Sequence, residues 1–202
     1  MSYTNRSQDA LEGTVCRAGL ATLLMVQLIL GYEWFVSGIT KVASGTFVSD
    51  LAANLRSNAD SAPGFYRSLI HSTLIPNAHT LAVLIEIGEL AVGAAFIAAS
   101  IVWLTRWSRL ADPARTALLG TAMLAALGAT FMAINFHLAR GGNHPWLIPA
   151  DGMDETIDVD TVLVFTQMTI FAFAGYVLLK IRREQQAATV PAEVHHGVIP
   201  TA

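Results

Sequence analysis

The stretch HTLAVLIEIGELAVGAAFIAASIVWL, residues 79–104, is predominantly apolar, and its only charged residues are two carboxylates, Glu86 and Glu89. A helix needs about 20 predominantly apolar residues to cross roughly 30 Å of hydrocarbon, and this run has them. Working outward from it, spans of the same kind are predicted at Ala18 to Ile39, Thr116 to Ala139 and Asp160 to Ile181, beside this one at His79 to Leu104. Each span must satisfy its own backbone hydrogen bonds in lipid. The fold class expected is therefore all-α, an integral membrane four-helix bundle.

Composition agrees. With 53% hydrophobic and 13% charged residues and a mean hydropathy of +0.51, the 202-residue chain is too apolar for a soluble domain. A formal charge of -3 gives no reason to expect nucleic acid as a partner. The polar stretch Met1 to Cys16 precedes the first apolar run, no convincing small-residue cleavage site follows that run, and a retained span is expected rather than a cleaved leader. Cys16 is the single cysteine, so no internal disulfide can form. Residues 1–183 read as one membrane domain. Residues 184–202 mix Gln, Ala, Thr, Pro and His without periodicity and are expected to form a disordered cytoplasmic tail, in which His195 and His196 alone are too few to hold a metal.

Orientation follows from the cations. Arg6, Arg17, Arg106, Arg109, Arg115, Lys180, Arg182 and Arg183 flank the spans on one side, and Lys41, Arg56, Arg67 and Arg140 on the other. Positive-inside counting puts both termini in the cytoplasm, with the chain in the cytoplasmic membrane. The first loop, Thr40 to Ala78, and the third, Arg140 to Val159, then face outward; Asp151, Asp154, Glu155 and Asp158 make that face acidic. The first loop is too long for a simple connector. Phe47, Leu51 and Leu55 recur every four residues, and Phe65, Tyr66, Leu69 and Ile70 follow the Pro63-Gly64 break. Two short amphipathic helices on the outer interface are predicted.

Polar groups inside the spans need a reason, because an ionisable side chain at membrane depth costs several kcal/mol on most scales. Counting 1.5 Å per residue from the predicted span ends puts Glu33 about 9 Å, Glu86 about 10 Å and Glu89 about 15 Å below the outer boundary. Asn135 and His137 close the third span on the same side, and Gln167 lies about two turns into the fourth. Glu86 and Glu89 share a helix face at i and i+3, with Gly88 and Gly93 leaving room for a neighbouring helix.

Several chemistries fit these residues. In one, the acids pair with Lys41 or Arg140 and only lock helices together. Metal is another, since Glu33, Glu86, Glu89 and His137 are admissible ligands, but the Glu-x-x-His repeats of a di-iron bundle are missing and no metal, haem or flavin motif is found. In the third, the site takes a quinone or similar amphiphile. Glu86, Glu89 and Glu33 then serve as the catalytic proton carriers, Asn135, His137 and Gln167 hold the carbonyls, Trp34 flanks the ring, and Lys41 joins the binding group. Trp34 fits an interfacial aromatic belt equally well.

The segment Gly31 to Phe47, GYEWFVSGITKVASGTF, resembles the start of DoxX and DoxD proteins, with Gly38 to Lys41 as a Gly-x-x-Lys turn. Glu86, Gly88, Glu89 and Gly93 are similar to the second-span pattern of that family, and Asn135-Phe136, Ala139 and Asn143-His144-Pro145 to the close of its third span, although His144 interrupts the Asn-Pro turn. The likeness runs from Gly31 to Trp146. It implies a four-span protein, with some relatives acting as the membrane subunit of thiosulfate:quinone oxidoreductase, and hence a quinone and a second oxidoreductase subunit. Two functions are carried forward: a quinone-linked oxidoreductase subunit acting on thiosulfate or another small sulfur compound at the outer face, and a non-catalytic scaffold or small-solute carrier. Glycines on the spans also permit a homo-oligomer.

Overall fold

The computed structural model describes the backbone of residues 3–141 and 159–189, and the side chains of residues 18–141 and 159–187. All regular structure within those residues is helical: α1 Tyr3–Ser44, α2 Phe47–Asn58, α3 Gly64–Leu69 continued by a π-helical turn Ile70–Leu74, α4 Ala78–Arg106, α5 Asp112–Ala139 and α6 Val159–Thr189. Within α1, α4, α5 and α6 lie four segments long and apolar enough to cross a bilayer, at Ala18–Ser44, Ala78–Arg109, Asp112–Ala139 and Val159–Ala187. Their outward faces carry Ile29, Leu84, Leu124, Phe131 and Tyr176, each more than half exposed. That surface would be a liability in water and suits hydrocarbon. The chain is a multi-pass membrane protein.

Small residues set how the helices meet. In α1 the stripe Gln27, Gly31, Trp34, Gly38 and Lys41 repeats at four and three residues and faces α4. A Cβ placed on Gly93 would lie 2.5 Å from the Phe35 nitrogen, and one on Gly38 would lie 3.0 Å from the Leu90 nitrogen. The two backbones touch there, as small residues permit in a membrane. The Gln27 side-chain amide, buried deeper, donates to the Phe96 carbonyl oxygen at 3.3 Å. On the other flank, α5 buries Ala122, Ala125, Ala126, Ala129 and Ala133, and it packs between α4 and α6. Leu24, Trp103, Leu119 and Ala174 close the core at the Trp107 end, where Trp103 and Trp107 stack at 4.1 Å.

Two boundaries differ from expectation. Helix α1 runs past Ile39 to Ser44 and ends at Gly45, whose φ of 66° is a conformation that favours glycine, so Lys41 belongs to the helix rather than to the loop. Helix α6 passes the boundary drawn at Arg183 and continues through Glu184 to Thr189. Glu, Gln and Ala are good helix formers, and Gln185 Nε2 donates to Asp112 Oδ2 at 3.3 Å, tying this extension to the start of α5. Asn143, His144, Pro145, the acidic residues of the third loop, and His195 and His196 lie outside the described residues.

The segment between α1 and α4 folds over one end of the bundle, here termed the cap. Leu55, Ala59, Ala62, Tyr66, Ile70 and Ala78 form its buried cluster, with Leu138 and Ala139 of α5 packed against it. The Arg67 guanidinium donates to the carbonyl oxygens of Ala59, at 3.1 Å, and of Asp60, which fastens the turn between α2 and α3. Gly141, at φ 93°, brings the end of α5 against Ser61 so closely that a Cβ would lie 2.7 Å from the serine's own.

Candidate functional site

The α1–α4 register described above brings Lys41 over Glu89. Lys41 Nζ lies 2.7 Å from each Glu89 oxygen and 2.7 Å from Ser37 Oγ, one turn back on α1. Glu89 is fully buried, whereas the lysine side chain keeps 23% of its exposure. An ammonium group has three protons, and three acceptors surround it. The rings of Phe47 and Phe136 lie 5.4 and 5.9 Å from the same nitrogen. Those distances suit cation–π attraction.

Above this pair lies a cavity of about 280 Å³, lined by Lys41, Phe47, Leu51, Asn54, Leu55, Asn58, Phe136, Ala139 and Arg140. Its wall is mostly apolar, supplied by α2 and the end of α5, with the ion pair at the α1 edge and two asparagines along α2. At the α5 edge, Arg140 Nη1 donates to Asp160 Oδ2 at 3.0 Å, linking α5 to the start of α6. Phe136 also packs on Trp34, with centroids 6.3 Å apart. Nearby, the Tyr66 hydroxyl donates to Asn135 Oδ1 at 2.9 Å, and burial pushes the Tyr66 phenol above its ordinary 10.0.

The residues singled out in the sequence divide accordingly. Lys41 and Glu89 meet, and Trp34 supports the cavity through Phe136. Asn135 is occupied with Tyr66 and with the Phe131 carbonyl oxygen, to which its amide donates at 2.7 Å. Glu86 and His137 are half-buried and neither lines the cavity. Glu33 is not brought to the site: one residue before Trp34, it is rotated by roughly 100° off the α4-facing stripe and lies exposed on the outside of the bundle. Gln167 is fully buried in the core.

Sequence reasoning missed Ser37 and any pairing of Asp160, read Phe47 and Tyr66 only as parts of amphipathic faces, and met Phe136 only in the family resemblance. Ser37 stood one helical turn before Lys41, and that spacing was the available signal. The others depend on how the cap folds back. Among the described residues, no group of three or more His, Cys, Asp or Glu side chains converges as a metal site would require.

No protein-family model matches the chain, and neither does any curated protein or solved structure. Fold and site define the class by themselves: a multi-pass α-helical membrane protein with a buried carboxylate–ammonium pair beneath an amphipathic cavity.

Proposed function

We propose that the cavity receives the headgroup of a quinone-class amphiphile, and that the chain acts as the membrane subunit of a quinone-linked oxidoreductase. The observation that carries this reading is the pairing of a fully buried carboxylate with a lysine that lines a mostly apolar, aromatic-flanked cavity. At about 280 Å³ the space is close to the lower limit of roughly 300 Å³ for ligand sites, enough for a head ring whose tail runs into lipid. Phe47 and Phe136 would flank the ring, while Asn54 and Asn58 would donate to its carbonyl oxygens. Reducing a quinone to its quinol consumes two electrons and two protons. Lys41 and Glu89 are the groups placed to pass protons, and the electrons come from a partner subunit, since one cysteine cannot form a redox pair.

In this reading the cap faces outward, both termini lie in the cytoplasm, and the short helices of the cap rest at the interface. Thiosulfate, or another small sulfur compound, enters as electron donor only through the resemblance to DoxX and DoxD proteins. The test is donor-dependent reduction of a soluble quinone analogue by membranes with and without the protein, with Glu89→Gln as control. A rate that needs both the protein and Glu89 supports the proposal; a rate indifferent to either removes it.

One observation favours a second reading. All three ammonium protons of Lys41 have acceptors within the protein, so the pair needs no ligand and can serve as an internal clamp between α1 and α4. A scaffold of that kind loses folded yield, and nothing else, when Glu89 is changed.

A further inference from the structure

Beside the ion pair, the core contains polar atoms that the pair does not account for. Gln167 is 0% exposed, and neither its Oε1 nor its Nε2 has a hydrogen-bond partner; Thr130 Oγ1, at 7% residue exposure, and Trp34 Nε1, at 4%, share that condition. Leaving a buried polar group unsatisfied costs about 1–3 kcal/mol even in a soluble protein. Four such atoms on three side chains are more than marginal stability readily tolerates.

They also converge. Trp34, Val92, Ala129, Ala133, Val164 and Ile170 form one buried cluster contributed by all four long helices. Gln167 lies one turn from Val164 and from Ile170 on α6, and Thr130 lies between Ala129 and Ala133 on α5. Register agrees. The Arg140–Asp160 bond and the approach of Met123 to Gly175 set α5 against α6 so that Gln167 is level with Thr130 to within a turn. The approach of Met132 to Gly88 puts Glu89 of α4 at the same level.

We infer that the bundle core holds a small oxygen-bearing group, water or a hydroxyl, among Trp34, Thr130 and Gln167. The donor and acceptor inventory fixes that chemistry. Indole Nε1 only donates, the Gln167 amide both donates and accepts, and a threonine hydroxyl does either. The occupant must therefore accept from Trp34 and from Gln167 Nε2 while donating to Gln167 Oε1. A cation fails because two of these groups present protons, and a bare carbonyl oxygen fails because it has nothing to donate. Water and an alcohol or quinol hydroxyl satisfy all of them. Trp34 packs on Phe136, which lines the cavity, so the site adjoins the cavity; it stands whether or not the cavity binds a quinone.

The test is the thermal stability of the full chain in lipid nanodiscs, first ligand-free and then with a short-chain quinol. Gln167→Met keeps the shape and removes the amide, a change that is neutral or stabilising for a truly unpartnered group. With an occupant, Gln167→Met and the isosteric Thr130→Val each lower Tm by about 3 °C or more, and the double variant loses less than their sum because both share one oxygen. A deficit in the ligand-free protein identifies water. A deficit that appears only with quinol identifies the ligand's hydroxyl. Tm unchanged or raised by both substitutions under both conditions overturns the inference, and Thr130→Val decides alone if Gln167→Met yields no folded protein.

Discussion

Glu89 is buried at a depth where a lone carboxylate would cost several kcal/mol, and Lys41 is the group that makes its position tolerable. Breaking such a pair from one side leaves an uncompensated charge. Lys41→Met is therefore expected to lose about 3–5 kcal/mol, while the double variant Lys41→Met with Glu89→Leu recovers much of that loss; unfolding in graded denaturant compares the three proteins. Both residues stood out in the sequence, Glu89 as an acid inside an apolar run and Lys41 at the end of another. Their meeting did not, because it depends on the stagger of α1 against α4. That stagger is set by backbone contacts at Gly93 and Gly38, where the absence of a side chain gives pattern reading little to register. Glu33 shows the reverse. Depth alone grouped it with Glu89, and only the helical phase that turns Trp34 inward shows that Glu33 faces the other way.

At the scale of elements, the α1–α4 contact is the joint on which the site depends. Gly93→Val sets a branched side chain against the Phe35 backbone, so the helices must part by more than overpacking of about 1–3 kcal/mol ordinarily requires. Loss of folded, detergent-stable protein is expected, whereas Gly19→Val, with open space around it, should be harmless. The cap offers a pH test. Burial holds the Tyr66 phenol above 10.0, which favours its neutral form in the folded cap. Its contribution to stability is then complete below about pH 10 and is lost as pH rises through the folded-state pKa. Thermal unfolding followed between pH 8 and 11 should show that loss, and Tyr66→Phe should flatten it while costing about 1 kcal/mol at neutral pH for the hydrogen bond to Asn135. Helices within the first loop were legible from the spacing of Phe47, Leu51 and Leu55. The way they fold over the end of α5 was not, since Arg67 and Gly141 act through backbone carbonyl oxygens and a close approach that leave no periodic trace.

For the molecule as a whole, the four long helices were readable because the bilayer imposes both length and composition on anything that crosses it. The orientation expected from the cations has a direct test: if it holds, Ser57→Cys in the cap reacts with an impermeant thiol reagent from outside intact cells, and Ser108→Cys in the α4–α5 turn only after lysis. What the molecule binds was less legible, because the cavity is assembled from α1, α2 and α5, elements remote in sequence, and most of its lining is ordinary apolar residues. The most direct measurement is an equilibrium titration of the purified protein with a short-chain quinone analogue, set beside Asn54→Trp, which fills the cavity from the exposed side of α2 without touching the ion pair. Saturable binding to one site, lost in Asn54→Trp at unchanged folded yield, is the expected result. Binding that never saturates, or that Asn54→Trp leaves intact, would contradict the proposed site and leave Lys41 and Glu89 as a clamp between helices.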